Sequence, residues 1–176
     1  MRVFIGIKTS EEIQKRILAW QEKHKNLPVR FIKPENLHIT LVPPWYETKI
    51  NDLVKYLSSF KSLIRNFEIR FDSISLGPSI APRLFWAEAQ TPRDLLELRK
   101  NINVHLKKKP EKRPFKTHIT LARFKHLNFE KLKDEQIERN ISWEMTVGKI
   151  TLFESKLSPL GANYREISSF QFPFAS

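Results

Sequence analysis

The sequence predicts an α+β fold of two pseudo-symmetric lobes, each an antiparallel sheet flanked by helices, facing one another across a central cleft. Three observations carry that expectation. The tetrapeptide His-Ile-Thr-Leu occurs at 38–41 and again at 118–121, an offset of 118 − 38 = 80 residues. Each copy has a proline four residues before its histidine, Pro34 and Pro114. The order strand, helix, strand with His-Ile-Thr, helix, strand runs through the chain roughly twice, without the strict alternation of a parallel sheet. The simplest reading is an internal duplication within one two-lobed domain spanning 1–176.

The elements follow in order. Residues 2–7, RVFIGI, read as a first strand. Thr9 and Glu12 have the spacing of a capping box, and Ile13, Ile17, Leu18 and Trp20 give a helical stripe to about residue 25, ended by Asn26-Leu27-Pro28. Residues 29–42 are strand-like with an interruption near Pro34. Ile50, Leu53, Val54 and Leu57 share one face of a helix over about 48–60. NFEIRFDSISL, 66–76, alternates as a half-buried strand does, and Gly77-Pro78 breaks it. The pattern then restarts: Arg83-Leu84-Phe85-Trp86-Ala87 resembles Arg2-Val3-Phe4-Ile5-Gly6. Thr91-Pro92 suits an N-cap and first helical position, with Leu95, Leu98 and Ile102 as the stripe of the helix that follows. A basic stretch, 107–113, leads to the second His-Ile-Thr-Leu. A short helix is expected near 128–139, and two or three strands over 143–172 around Pro159-Leu160-Gly161.

Composition narrows the chemistry. The chain has no cysteine, which removes disulfides and thiolate metal sites and fits a reducing cytoplasm. No apolar run approaches the ~20 residues of a membrane helix, and the start lacks the long apolar stretch of a signal peptide. Thirty-one Lys and Arg against nineteen Asp and Glu leave a net charge of +12, which favours polyanions, nucleic acid first among them. A lysine-rich soluble surface is the alternative source of that charge. No His/Asp/Glu cluster has metal-ligand spacing, and no glycine-rich phosphate loop is present, so neither a metal nor a cofactor is expected.

In an extended strand, alternate side chains share a face. His38 and Thr40 therefore point one way while Leu37, Ile39 and Leu41 point the other, and His118 and Thr120 oppose Ile119 and Leu121 in the same way. The apolar face suits a core and the His/Thr face a cleft. Two lobes facing each other would bring two histidines to one phosphate, one neutral as base and one protonated as acid. The threonine hydroxyls can hydrogen-bond non-bridging oxygens. The alternative is duplicated ancestry that retains only the packing.

The paired His-x-Thr segments resemble the two-histidine phosphoesterase superfamily, and within it the RNA 2′,3′-cyclic phosphodiesterases, also called 2′-5′ RNA ligases. The resemblance covers nearly the whole chain. It includes Arg2 and Phe4, both His-Ile-Thr-Leu segments, Leu121-Ala122-Arg123, and residues 155–164. It implies a bilobal fold with a central cleft and metal-independent opening of a terminal RNA 2′,3′-cyclic phosphate to a 2′-phosphate. It implies His38 as proton donor to the leaving 3′-oxygen, His118 as the base that activates water, Thr40 and Thr120 on the phosphate, and Arg123 assisting. The reverse reaction would join a cyclic phosphate end to a 5′-hydroxyl. The partner is then RNA with a 2′,3′-cyclic phosphate end, acted on by a cytoplasmic monomer away from any membrane. Two alternatives stand beside this: a non-catalytic basic RNA-binding module, and a related esterase for a small cyclic phosphate or a 2′-5′ oligonucleotide.

Arg123 resists the simple picture. It lies five residues after His118, so strict alternation puts it on the opposite face. It reaches the cleft only if the strand ends, bends or bulges near Ala122; otherwise it forms a surface or interlobe salt bridge. His24, His105 and His126 have no counterpart in the other half and read as structural. Lys107, Lys108, Lys109, Lys112 and Arg113 form either a solvated loop or a guide for an RNA backbone. Trp45 and Tyr46 either stack a base or pack on their own lobe.

Overall fold

A computed structural model describes residues 1–60, 64–109, 111, 113–125, 138, 140–159 and 161–172. Nine strands and three α-helices among them run β1 (Arg2–Lys8), α1 (Glu11–Lys23), β2 (Val29–Phe31), β3 (His38–Tyr46), α2 (Ile50–Ser58), β4 (Phe67–Gly77), β5 (Leu84–Ala89), α3 (Arg93–His105), β6 (Thr117–Phe124), β7 (Trp143–Val147), β8 (Lys149–Ser158) and β9 (Gly161–Gln171). The helix expected near 128–139 lies outside the described residues, apart from Glu138. So does His126.

All strand pairs are antiparallel, in two sheets ordered β3-β1-β8-β9 and β2-β6-β5-β4-β7. The architecture is α+β, as the sequence predicts, but the halves of the chain exchange strands. β2 and β4 precede the second motif yet sit in its sheet, and the C-terminal hairpin β8–β9 completes the first sheet. The interruption near Pro34 is the switch: a 3-10 turn at Pro34–Asn36 separates β2 in one sheet from β3 in the other. The helices exchange too, with α1 against β7 and α3 against β3.

The helical stripes bury what the periodicity indicates: Ile13, Ile17 and Trp20 on α1, and Leu95, Leu98 and Ile102 on α3. Leu18 is the exception, 42% exposed on the far side of α1, and Gln21 takes the fourth buried place. Both expected caps are displaced by one residue. Ser10 caps α1, accepting from the Ile13 amide at 3.3 Å, and Pro92 stands at the N-cap of α3. The two threonines are held elsewhere. The Thr9 hydroxyl and amide both donate to the Leu37 carbonyl, at 3.1 and 3.3 Å. The Thr91 hydroxyl accepts from the Thr117 hydroxyl and amide, at 2.8 and 3.3 Å. Each therefore anchors the residue just before a motif histidine, and Thr9 also accepts from the Gln14 side chain of α1 at 3.2 Å.

Candidate active site

The motif strands repeat to the residue. β3 pairs with β1 as Lys8↔His38, Ile7↔Ile39, Gly6↔Thr40 and Ile5↔Val42. β6 pairs with β5 as Glu88↔His118, Ala87↔Ile119, Trp86↔Thr120 and Phe85↔Ala122. Every position differs by 80, as in 86 − 6 = 80. This corrects the matching of Arg83-Leu84-Phe85 with Arg2-Val3-Phe4, which is one residue out of register. A one-residue slip exchanges the two faces of a strand. Phe4 therefore corresponds to Leu84, and both line the cleft, while Phe85 packs in the core against Trp20 and Phe124.

Both motif strands bulge after the threonine. Between Thr40 and Val42, and between Thr120 and Ala122, the motif strand advances two residues while its partner advances one. Leu41 and Leu121 are the extra residues, so each bulge resets the alternation. Leu121 and Ala122 are consecutively buried, and Arg123 returns to the cleft with His118 and Thr120. A buried carbonyl at a bulge needs donors, and the Leu121 oxygen takes one from the Ile32 amide at 2.9 Å. The exchanged helices supply one to each: Gln21 of α1 donates to the Leu121 oxygen at 3.1 Å, and Arg99 of α3 to the Leu41 oxygen at 3.1 Å.

The imidazoles are oriented alike. Nδ1 of His38 donates to the Asn36 carbonyl at 2.7 Å, and Nδ1 of His118 to the Lys116 carbonyl at 2.8 Å. A carbonyl only accepts, so Nδ1 carries the proton and Nε2 is left to take up or release another. His38 Nε2 lies 3.1 Å from the Thr40 hydroxyl. Asn36 does more than orient the ring. Its side chain accepts from the Tyr164 amide at 3.0 Å and donates to the Ala162 carbonyl at 3.1 Å, drawing β9 over the site.

The two surroundings differ. His38 sits among Phe4, at 4.8 Å between centroids, and Tyr164, edge-on at 5.0 Å. At Gly6, opposite Thr40, a Cβ would lie 2.7 Å from the Ile39 carbonyl and 3.5 Å from the His38 ring, so the strands close up without a side chain there. The matching residue in the other lobe is Trp86, whose indole stacks on His118 at 4.0 Å and fills the space above Gly77. Burial pushes His38 from its ordinary 6.5 down to about 4, partly offset by the Asn36 carbonyl, with the charges of His118 and Arg123 adding to the drop. Burial lowers His118 as well, but the Lys116 carbonyl and the Glu88 carboxylate pull it back up. Glu88 is itself held by Lys116 Nζ at 2.6 Å and by the Ser75 hydroxyl.

All five residues singled out in the sequence, His38, Thr40, His118, Thr120 and Arg123, line one cavity of about 370 Å³ where β3 and β6 meet. Four cationic side chains, Arg2, Arg30, Lys33 and Arg123, line it, and no carboxylate does among the described residues. Arg30, Lys33 and Asn36 escaped the sequence reading because they sit in the short segment that switches sheets, where periodicity carries no signal. His24 packs on Trp20 and His105 on Tyr56, both away from the cavity. Lys108 lies over the Trp45 ring at 4.2 Å, and Tyr46 is 79% exposed; neither aromatic residue and none of the described residues of 107–113 lines the cavity.

The sequence pattern of the 2′-5′ RNA ligase superfamily matches residues 9–158. An RNA 2′,3′-cyclic phosphodiesterase of Archaeoglobus fulgidus is 28% identical over 178 residues, covering 97% of this chain and 100% of that one. A protein of the same name from Bacillus subtilis is 32% identical over 130 residues, covering 68% of this chain and 69% of the relative. Among solved structures, TT0787 of Thermus thermophilus superposes with a TM-score of 0.80 at 23% identity, covering 100% of both chains. E. coli LigT complexed with 3′-AMP gives 0.74 at 23% identity, covering 97% of each. Among the described residues no helix is long and apolar enough to cross a membrane.

Proposed function

The chain belongs to the 2′-5′ RNA ligase superfamily, and on that premise we propose that it hydrolyses a terminal RNA 2′,3′-cyclic phosphate to a 2′-phosphomonoester. The observation that carries this reading is the matched pair of imidazoles, each with Nδ1 fixed on a carbonyl two residues upstream and both lining one cation-rich cavity. His118 Nε2 takes a proton from water as the water oxygen attacks phosphorus. The bond from phosphorus to the 3′-oxygen breaks, and His38 gives its Nε2 proton to that oxygen. Thr40, Thr120 and Arg123 hold the non-bridging oxygens. Solvent then resets the two imidazoles, and the same steps with a 5′-hydroxyl in place of water, its oxygen attacking phosphorus as the 3′-oxygen leaves, give 2′-5′ ligation.

The acid needs a protonated His38, whose pKa in the empty cavity is about 4. The substrate supplies the correction. A phosphate anion ~4 Å away contributes about 4 kcal/mol at an effective dielectric of ~20, enough to raise a pKa by about 3. His38 then titrates near neutrality in the complex, as an efficient general acid should. His118 has Glu88 beside it, but its Nε2 faces the same anion. The asymmetry between the two rings is therefore set by how water and the 3′-oxygen are placed.

The test is to incubate the purified protein, with chelator present, with an RNA ending in a 2′,3′-cyclic phosphate and identify the product isomer. A 2′-phosphate is expected. A 3′-phosphate would refute the assigned scissile bond, and an unreacted end would refute the activity. RNA that binds without reacting would identify a binding module.

A further inference from the structure

Arg30 and Arg123 stand directly opposite one another in the β2–β6 pair, and both line the cavity. Opposed residues on antiparallel strands share a face, and like charges so placed destabilise the sheet. Among the described residues neither has a carboxylate partner. Two unpaired guanidinium groups in register, in a cavity without acidic residues, are what an anion would relieve.

Their places differ. The Arg30 guanidinium lies against Gly161 at the start of β9, where a Cβ would be 3.1 Å from its central carbon and where φ is +120°, a conformation that suits glycine. The residue three further along β9, Tyr164, is the one whose ring meets His38. At ~3.3 Å per residue that separates the Gly161 position from Tyr164 by roughly 10 Å. The Arg30 guanidinium is thus held at the start of β9, while His38 meets β9 three residues further on. Arg123 is the arginine whose charge is felt at His38, and Arg30 is not. Lys33, two residues beyond β2, lies on the same cavity wall.

We propose that Arg30, aided by Lys33, holds a second phosphate, the phosphodiester that precedes the terminal nucleotide, while Arg123 turns to the reacting one. The substrate class is then an oligoribonucleotide with at least one internal phosphodiester, not a mononucleoside cyclic phosphate. This rests on the reaction proposed above and specifies its substrate.

The experiment compares kcat/KM of wild type, Arg30→Ala and Arg30→Lys on a mononucleoside 2′,3′-cyclic phosphate and on a dinucleotide ending in the same group. Losing a charged hydrogen bond to phosphate costs about tenfold to a hundredfold. Arg30→Ala is expected to lose that much more on the dinucleotide than on the mononucleotide, with partial recovery in Arg30→Lys. Equal losses on both substrates, or no loss on the dinucleotide, would overturn the subsite. Wild type inactive on both substrates would overturn the proposed reaction instead. The affinity for an unreactive dinucleotide 3′-phosphate then decides the subsite alone. Binding weakened about tenfold by Arg30→Ala, with the log–log salt slope lowered by about one, supports it; unchanged binding overturns it.

Discussion

The burial of His38 makes the stability of this protein depend on pH in a direction that can be worked out. Its pKa falls from an ordinary 6.5 to about 4 on folding, chiefly because the cavity withholds water from the imidazolium. The folded state therefore binds fewer protons at this site than the unfolded chain does. The stabilisation is present above pH 6.5 and is lost as the pH drops towards 4. Integrating between those two values gives a loss of about 2 kcal/mol between about pH 7 and pH 5 from this one residue. Most carboxylates stay ionised over that interval, which keeps the effect readable. His118 shifts in the same direction, so the wild-type loss exceeds the single-site figure. The perturbation that isolates His38 is His38→Asn, which keeps a short donor beside the Asn36 carbonyl but cannot titrate. Urea unfolding at about pH 7, 6 and 5 should show wild type losing about 2 kcal/mol more than the variant. Parallel pH dependences would refute the argument, because they would mean that the ring is solvated or already paired with a charge in the folded state.

The roles of the two histidines predict an asymmetric rescue. His38→Ala should recover a sizeable share of activity on a nucleotide ester with a nitrophenolate leaving group, which needs no protonation, while His118→Ala should stay inactive on both that ester and RNA; rescue of the His118 variant alone would reverse the roles. Because kcat/KM reports the free enzyme and kcat the complex, the kcat/KM optimum should lie on the acid side of neutrality, between about 4 and 6.5, and the kcat optimum at higher pH. Coincident profiles would deny the phosphate its effect on His38. Gln21→Met should leave the Ile32 carbonyl without its donor and the Leu121 carbonyl with the Ile32 amide alone. That should cost about 1–3 kcal/mol in urea unfolding and lower kcat/KM through Arg123; unchanged values for both would show that the bulge holds itself.

Much of the site was legible because its signals are local. His-Ile-Thr-Leu written twice declares two strands with a polar and an apolar face, and the alternation alone puts His38 with Thr40 and His118 with Thr120. The apolar stripes of α1 and α3 are equally plain, since helical period is a property of the segment. What the sequence left ambiguous depends on register and on contacts far along the chain. The fate of Arg123 turned on one extra residue, Leu121. Bulges carry no sequence mark of their own, and this one is clasped by Gln21, a hundred residues away in the chain. The matching of the two halves looked best with the arginines aligned, but hydrogen-bond register sets it one residue away and so decides that Phe4 meets His38 while Phe85 enters the core. Thr9 and Thr91 have the chemistry of helix caps, yet each is drawn to the strand before a histidine because a donor or acceptor there is buried and must be met. The chain thus specifies by itself which side chains can do the chemistry. Only the exchange of strands and helices between the two sheets decides which of them converge, because convergence is a matter of register, and register is settled by the whole of the packed structure at once.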